Sequence, residues 1–203
     1  VVSIDAFYVD KYEVTNALYK ACVDAGVCAA PRRIDTPTRE NYYGNPEFDN
    51  FPVVWVNWDA ASTYCTWRGA RLLTEAEWEK AARGTDGRTY PWGEGLDCTH
   101  ANFSNCIGDT AAVGRYVAGQ SPYGVFEMAG NAWEWVADWY SPTFFTESPA
   151  SNPPGPDTGT ERVARGGSWA IGQPDIQASR RIGREPNPSE DRLTIRCATT
   201  QAP

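Results

Sequence analysis

Pro52-Val53-Val54-Trp55-Val56-Asn57-Trp58, followed by Arg71-Leu72-Leu73-Thr74-Glu75-Ala76-Glu77-Trp78-Glu79, decides how this chain is read. The first run is apolar and rich in valine, which predicts a buried strand over 52–56 that enters a helix near Asn57. Ala61, Tyr64, Cys65 and Arg68 then recur at helical spacing. In the second run Thr74 and Glu77 make a capping box ahead of Trp78, Ala81 and Ala82, predicting a helix that Gly84 stops. Upstream, Phe7 to Val14 alternates as a strand does. Thr15 stands as the N-cap of a helix with Leu18, Tyr19 and Cys22 on one face.

Beyond residue 86 no long helix is predicted. Asp86-Gly87, Pro91-Trp92-Gly93 and Ser121-Pro122-Tyr123-Gly124 are turn signals, and Ser148 to Thr160 is a Pro/Gly-rich surface excursion before a strand over 162–169. With 18 Gly and 15 Pro among nine Trp and ten Tyr, much of the 203-residue chain must be loop, and the fold class is α+β with few helices and short strands. The length suits one domain, 1–203. It begins at Val1 without an initiator Met, which reads as a processed protein or a piece of a longer one. The aromatic stretch Ala132 to Tyr140 is interrupted by Glu134 and Asp138, so no membrane span is expected. Twenty-six acidic against 18 basic residues leave a net charge of −8 with no basic tract, which argues against nucleic acid as a partner.

The six cysteines include two close pairs, Cys22 with Cys28 and Cys98 with Cys106, separated by five and seven residues. Structural zinc needs tighter knuckles, and the chain has one histidine, His100, so disulfides are the better reading. Disulfides place the protein in an extracytoplasmic setting, secreted, periplasmic or at a cell surface.

The two opening runs are joined by Tyr90-Pro91-Trp92-Gly93, by Tyr123-Gly124-Val125-Phe126-Glu127-Met128-Ala129-Gly130-Asn131-Ala132-Trp133-Glu134-Trp135, and by Arg165-Gly166-Gly167-Ser168-Trp169 with a closing Ile195-Arg196-Cys197. Blocks of this kind in this order resemble the formylglycine-generating-enzyme, or sulfatase-modifying factor, family over nearly the whole chain. The resemblance implies the loop-rich variant of the C-type lectin fold. It also implies a disulfide between Cys65 and Cys197, joining the second helix to the last strand.

Catalytic members of that family carry a copper-holding thiol pair three and eight residues after the Ser of the Gly-Gly-Ser block. Here those positions are Ile171 and Ile176, and an alkane is neither a soft metal ligand nor a nucleophile. A non-haem iron site fails for lack of histidines, and His100 reads as a surface residue. Hard-cation binding is the positive signal. The resemblance implies one calcium site from the Asn102 and Asp109 side chains with the Phe103 and Ala111 carbonyls, and a second from Glu127 and Glu134 with the Gly130 and Ala132 carbonyls. The alternative is that these groups cap turns. An Asn102-Phe103-Ser104 glycosylation sequon conflicts with a buried ligand role for Asn102.

Eight of the nine Trp, Trp67 among them, are expected in the core, and Trp169 is the exception. It leads into a segment that lines the substrate cleft in catalytic relatives and the variable ligand surface in retroelement-diversified ones. Trp169, Gln173, Asp175, Gln177, Arg180, Arg184, Glu190 and Arg192 are therefore candidate contacts for a protein or small-molecule ligand, with a structural ion-pair network as the competing reading. Three functions stand: a non-catalytic recognition domain, such as the sensor part of a longer surface protein; an oxidoreductase with an unrecognised site; and a diversified variable binding protein.

Overall fold

The computed structural model describes residues 2–104, 106–187 and 189–202. In chain order the elements are β1 (Tyr8–Val9), α1 (Asn16–Asp24), α2 (Trp58–Trp67), β2 (Arg71–Leu72), α3 (Glu75–Arg83), β3 (Trp133–Trp139), α4 (Phe144–Glu147), β4 (Arg162–Arg165), β5 (Arg181–Arg184), β6 (Leu193–Thr194) and β7 (Cys197–Thr199). One sheet has the order β1-β7-β2 and is antiparallel; the other runs β5-β4-β3-β6, with β3 and β6 parallel. This is the mixed α+β, loop-rich C-type-lectin-like architecture expected from the blocks.

The three longer helices start where side-chain chemistry starts them. Thr15 accepts a hydrogen bond from the Leu18 amide, Asn57 from the Ala60 amide, and Thr74 exchanges reciprocal bonds with Glu77. Such caps satisfy otherwise orphaned amides and contribute about 1 kcal/mol each. α3 ends at Gly84 as predicted.

Elsewhere the elements differ from expectation. Leu18 is 49% exposed, and α1 buries Asn16, Tyr19 and Cys22 instead. The run 52–56 is buried at Val53, Val54 and Val56 but is no strand, because Trp55 has φ 61°, in the left-handed region, and breaks the ladder. Only Tyr8–Val9 of the strand expected over 7–14 pairs with a neighbour strand. β4 stops at Arg165 rather than reaching Trp169, since Gly166 and Gly167 turn the chain at φ 93° and 83°.

β3 is the longest strand and runs through the middle of the core. Trp133 and Trp135 pack with Val14, Tyr19, Val53, Tyr64, Leu193 and Ile195, while Val136 packs with Leu73, Trp78, Met128 and Val163. Three disulfides are present: Cys22–Cys28, Cys98–Cys106 and Cys65–Cys197. The last spans 132 residues and ties α2 to β7, a closure that contributes about 4 to 5 kcal/mol in the chain-entropy account. Three disulfides fit an oxidising compartment. Among the described residues no helix is long and apolar enough to cross a membrane.

Candidate functional site

Beneath the 101–111 and 125–132 loops and the start of β3 lies a buried polar floor. Asn102 donates through Nδ2 to the Asp109 carbonyl at 2.7 Å, and its own carbonyl accepts from the Asn131 amide at 2.8 Å. Asn131 Oδ1 accepts from the Ala111 amide at 2.8 Å, and the Phe103 carbonyl accepts from Cys106 N at 2.8 Å. The first proposed ligand set is thus gathered in one place, but its carboxylate is already engaged. Asp109 accepts from the Thr36 and Thr38 hydroxyls at 2.6 and 2.7 Å and from the Thr110 amide, and Arg39 stands 3.0 Å away. Asn102 Oδ1 is buried without a donor.

The second set lies close by. Glu127 accepts from the Gly114 amide through Oε1 at 2.9 Å, and its Oε2 is buried without a partner. Glu134 is fully engaged, accepting from Arg196 Nε on both oxygens at 3.1 and 2.9 Å, from Arg196 Nη2 at 2.6 Å and from Trp78 Nε1 at 2.6 Å. Gly130 is required where it stands: at φ 78°, a Cβ would lie 2.4 Å from the Asn102 carbonyl oxygen. The sequence reading missed Glu13. Its carboxylate accepts from the Ala132 amide at 3.2 Å and from Asn131 Nδ2 at 2.5 Å. It was hidden because it sits in a run read only as an alternating strand. Burial, then the neighbouring Glu127, holds the Glu13 carboxyl well above its ordinary range, and burial pushes Glu127 up to about 7. Three carboxyls therefore share one guanidinium, Arg196.

Among the described residues no group of three or more His, Cys, Asp or Glu side chains is arranged to hold a metal. Asn102 Oδ1 in the first set and Glu127 Oε2 in the second are the side-chain oxygens left free for a hard cation, which would take each together with backbone carbonyls, as calcium's tolerance for mixed oxygen ligands allows.

The 169–192 segment divides into three parts. Trp169, expected at the surface, is 8% exposed, because its amide bonds the Asn131 carbonyl and the preceding glycine turn sends the ring inward. Its Nε1 and Ser168 Oγ lack partners. Conversely Trp67, expected in the core, is 38% exposed at the end of α2. Ile176 is fully buried and packs so tightly on Gly167 that a Cβ there would lie 2.6 Å from Ile176 Cγ2, while Ile171 is half-buried against the first core cluster. The segment therefore contributes to the core.

Its exposed part is a loop in which Gln173 donates to the Tyr90 hydroxyl and Arg180 pairs with Asp175 at 2.7 Å, with Gln177 half-buried between them. Tyr90 stacks on Trp92 and Trp92 on His100, with centroids 5.2 and 5.1 Å apart. His100 bonds Asp97 at 3.0 Å, an exposed pair. Next comes β5, whose Arg181 belongs to a structural network: it and Arg165 both grip Glu75, at 2.6 and 3.0 Å. Last, Arg184 at the end of β5 and Arg192 form loose pairs of 3.8 and 3.6 Å with Glu190, on a loop pinned to the run before α2, where the Trp55 amide bonds the Glu190 carbonyl. Arg181 is thus part of a structural network, while Arg180, Arg184 and Arg192 sit in looser pairs nearer the surface.

A family model described as sulfatase-modifying factor enzyme 1-like domain matches residues 1–201. The formylglycine-generating enzyme of Streptomyces coelicolor is 40% identical over 178 residues, 79% of this chain and 55% of that protein. The serine/threonine-protein kinase pkn1 of Chlamydia caviae is 41% identical over 156 residues, 75% of this chain and 25% of the kinase. Among solved structures, PvdO from Pseudomonas aeruginosa superposes with a TM-score of 0.78 at 25% identity, covering 95% of this chain and 80% of that one. The chain spans about half the length of the first relative and a quarter of the second.

Proposed function

Because the chain belongs to the sulfatase-modifying factor family, we propose that it is a non-catalytic recognition domain working in an extracytoplasmic setting, as a sensor part of a longer surface protein. One observation carries this reading. The position of the second family thiol is Ile176, fully buried and closed over the Gly167 backbone, so the place where a reactive sulfur would need to be reached is filled by hydrocarbon. The match to one quarter of a kinase supports a module within a larger chain. The contact surface combines the loop carrying Gln173, Asp175, Gln177 and Arg180 with Arg184 at the end of β5 and the half-buried Glu190 and Arg192 on the loop that follows; their ion pairs are open enough to be exchanged for a partner's groups at little cost. Trp169 is left out of that surface by its burial.

Oxidation of a cysteine-containing peptide with copper supplied should proceed at background rate; steady turnover would overturn the reading. Against a protein captured on the immobilised domain, Arg180→Ala or Arg184→Ala should weaken binding by about 1 to 3 kcal/mol with circular dichroism unchanged.

We also propose structural calcium at the polar floor, one site formed by Glu127 with the Gly130 and Ala132 carbonyls and another by Asn102 with the Phe103 and Ala111 carbonyls. The two donor-less oxygens support it, as does the excess of carboxyl groups over arginines around Arg196. Asp109 and Glu134 act there as groups already neutralised by Arg39 and Arg196.

A further inference from the structure

The three disulfides do not stand in equivalent surroundings. Cys22 and Cys28 lie inside the first core cluster, as do Cys65 and Cys197, and all four residues are buried. Cys98 is exposed and Cys106 half-buried, in a loop that also carries Asn102 and Ser104. A thiolate reaches a disulfide sulfur only along an open line of approach, so access separates this bridge from the other two.

The loop it closes is held in a costly shape. Ser104 has φ 46°, in the left-handed region that an L residue with a side chain occupies only when its surroundings impose it. In that shape the Ser104 amide donates to the Ile171 carbonyl at 2.9 Å, and the Cys106 amide to the Phe103 carbonyl at 2.8 Å. Ile171 opens the loop that carries Gln173, Asp175 and Arg180. The closed Cys98–Cys106 ring and the start of that loop are therefore joined by one hydrogen bond from a strained residue.

We infer that Cys98–Cys106 is an exchangeable disulfide, reduced by an external dithiol while the two buried bridges persist, and that its opening frees the loop beginning at Ile171. One thiolate of the dithiol attacks Cys98 Sγ, forming a mixed disulfide as the Cys98–Cys106 bond breaks and Cys106 leaves as a thiolate. The second thiol of the reagent then displaces Cys98. The dithiol becomes a cyclic disulfide, and the protein gains two electrons and two protons as two thiols. Without the ring, nothing covalent holds Ser104 at positive φ, and it relaxes away from Ile171.

The test treats the native protein with graded dithiothreitol, quenches in acid, alkylates and maps peptides. Cys98 and Cys106 should be labelled at reductant concentrations at least tenfold below those that open either other bridge, with far-ultraviolet circular dichroism unchanged. Amide hydrogen exchange on the same sample should accelerate tenfold or more at Ser104 and Cys106 and across 171–177 and stay constant across β3 and β4. Opening of all three bridges together, or of a buried one first, would overturn the assignment. Selective reduction without faster exchange at 171–177 would overturn the coupling. Cys98→Ser/Cys106→Ser, which fixes the open state without reductant, should show the same exchange pattern. None of these readouts involves a ligand, so they stand or fall apart from the recognition function.

Discussion

Two buried ionic clusters lie on the paired strands β3 and β4, and they are built differently. Glu134 and Arg165 are register partners, yet each turns to its own counter-ions, with Trp78 between them: its Nε1 bonds Glu134 and its ring lies 4.9 Å from the Arg165 guanidinium. Around Arg165, the charges nearly balance: Arg165 and Arg181 face Glu75, Glu79 and a more distant Asp138. Around Arg196, one guanidinium faces Glu134, Glu127 and Glu13. Around Arg165 the two arginines meet most of the negative charge, and Asp138 at the edge keeps a proton instead. A cluster short of positive charge must recruit protons or a cation, because an uncompensated buried carboxylate is expensive.

The sharpest way to break the comparison is to remove one arginine from each. Arg196→Met leaves three carboxyls with no cation and should cost about 3 to 5 kcal/mol in denaturant unfolding. Arg181→Met leaves Glu75 with Arg165 and should cost about 1 to 2 kcal/mol. Equal costs would mean that the two clusters do not differ as described.

Titration alone does not separate them, but titration with calcium should. Burial holds both Glu127 and Asp138 at about 7, above ordinary values of 4.5 and 3.8. The folded state keeps these protons more tightly than the unfolded chain does. The stabilisation is therefore complete below the unfolded values and lost as pH rises through about 7, by on the order of 3 kcal/mol for each group. Asp138→Asn and Glu127→Gln should each flatten part of that fall between pH 5 and 7.5 in unfolding measured by fluorescence. Saturating calcium should raise the melting temperature by several degrees at pH 7.5, equivalent to about 2 to 3 kcal/mol at a hundredfold excess over Kd. It should do so in Asp138→Asn and not in Glu127→Gln. A chelator without effect on the unaltered protein would sink the calcium proposal. Smallest of all, Arg180→Ala should change stability by less than about 0.5 kcal/mol, its partner Asp175 being exposed.

How much of this was legible before the structure depends on the kind of signal. Thr15, Asn57 and the Thr74–Glu77 box marked helix starts correctly because capping acts over three residues. β3 gave no alternating pattern, since Trp133, Glu134, Trp135 and Val136 are all buried and the strand has core on both faces. The Trp roles reversed, with Trp67 outside and Trp169 inside, because a composition-based expectation carries no direction for a ring.

By itself, the sequence determined the helix starts, the absence of thiols at 171 and 176 and, through the order of its blocks, the family and fold. These are written in residue identity and short spacing. Only the tertiary structure decided that Glu13 joins Glu127 and Glu134 around a single Arg196, that Arg181 is structural while Arg180 and Arg184 are exposed, and that one disulfide of three is open to solvent. Those outcomes depend on which groups distant in the chain share a low-dielectric interior and which remain in water, and no local pattern encodes that.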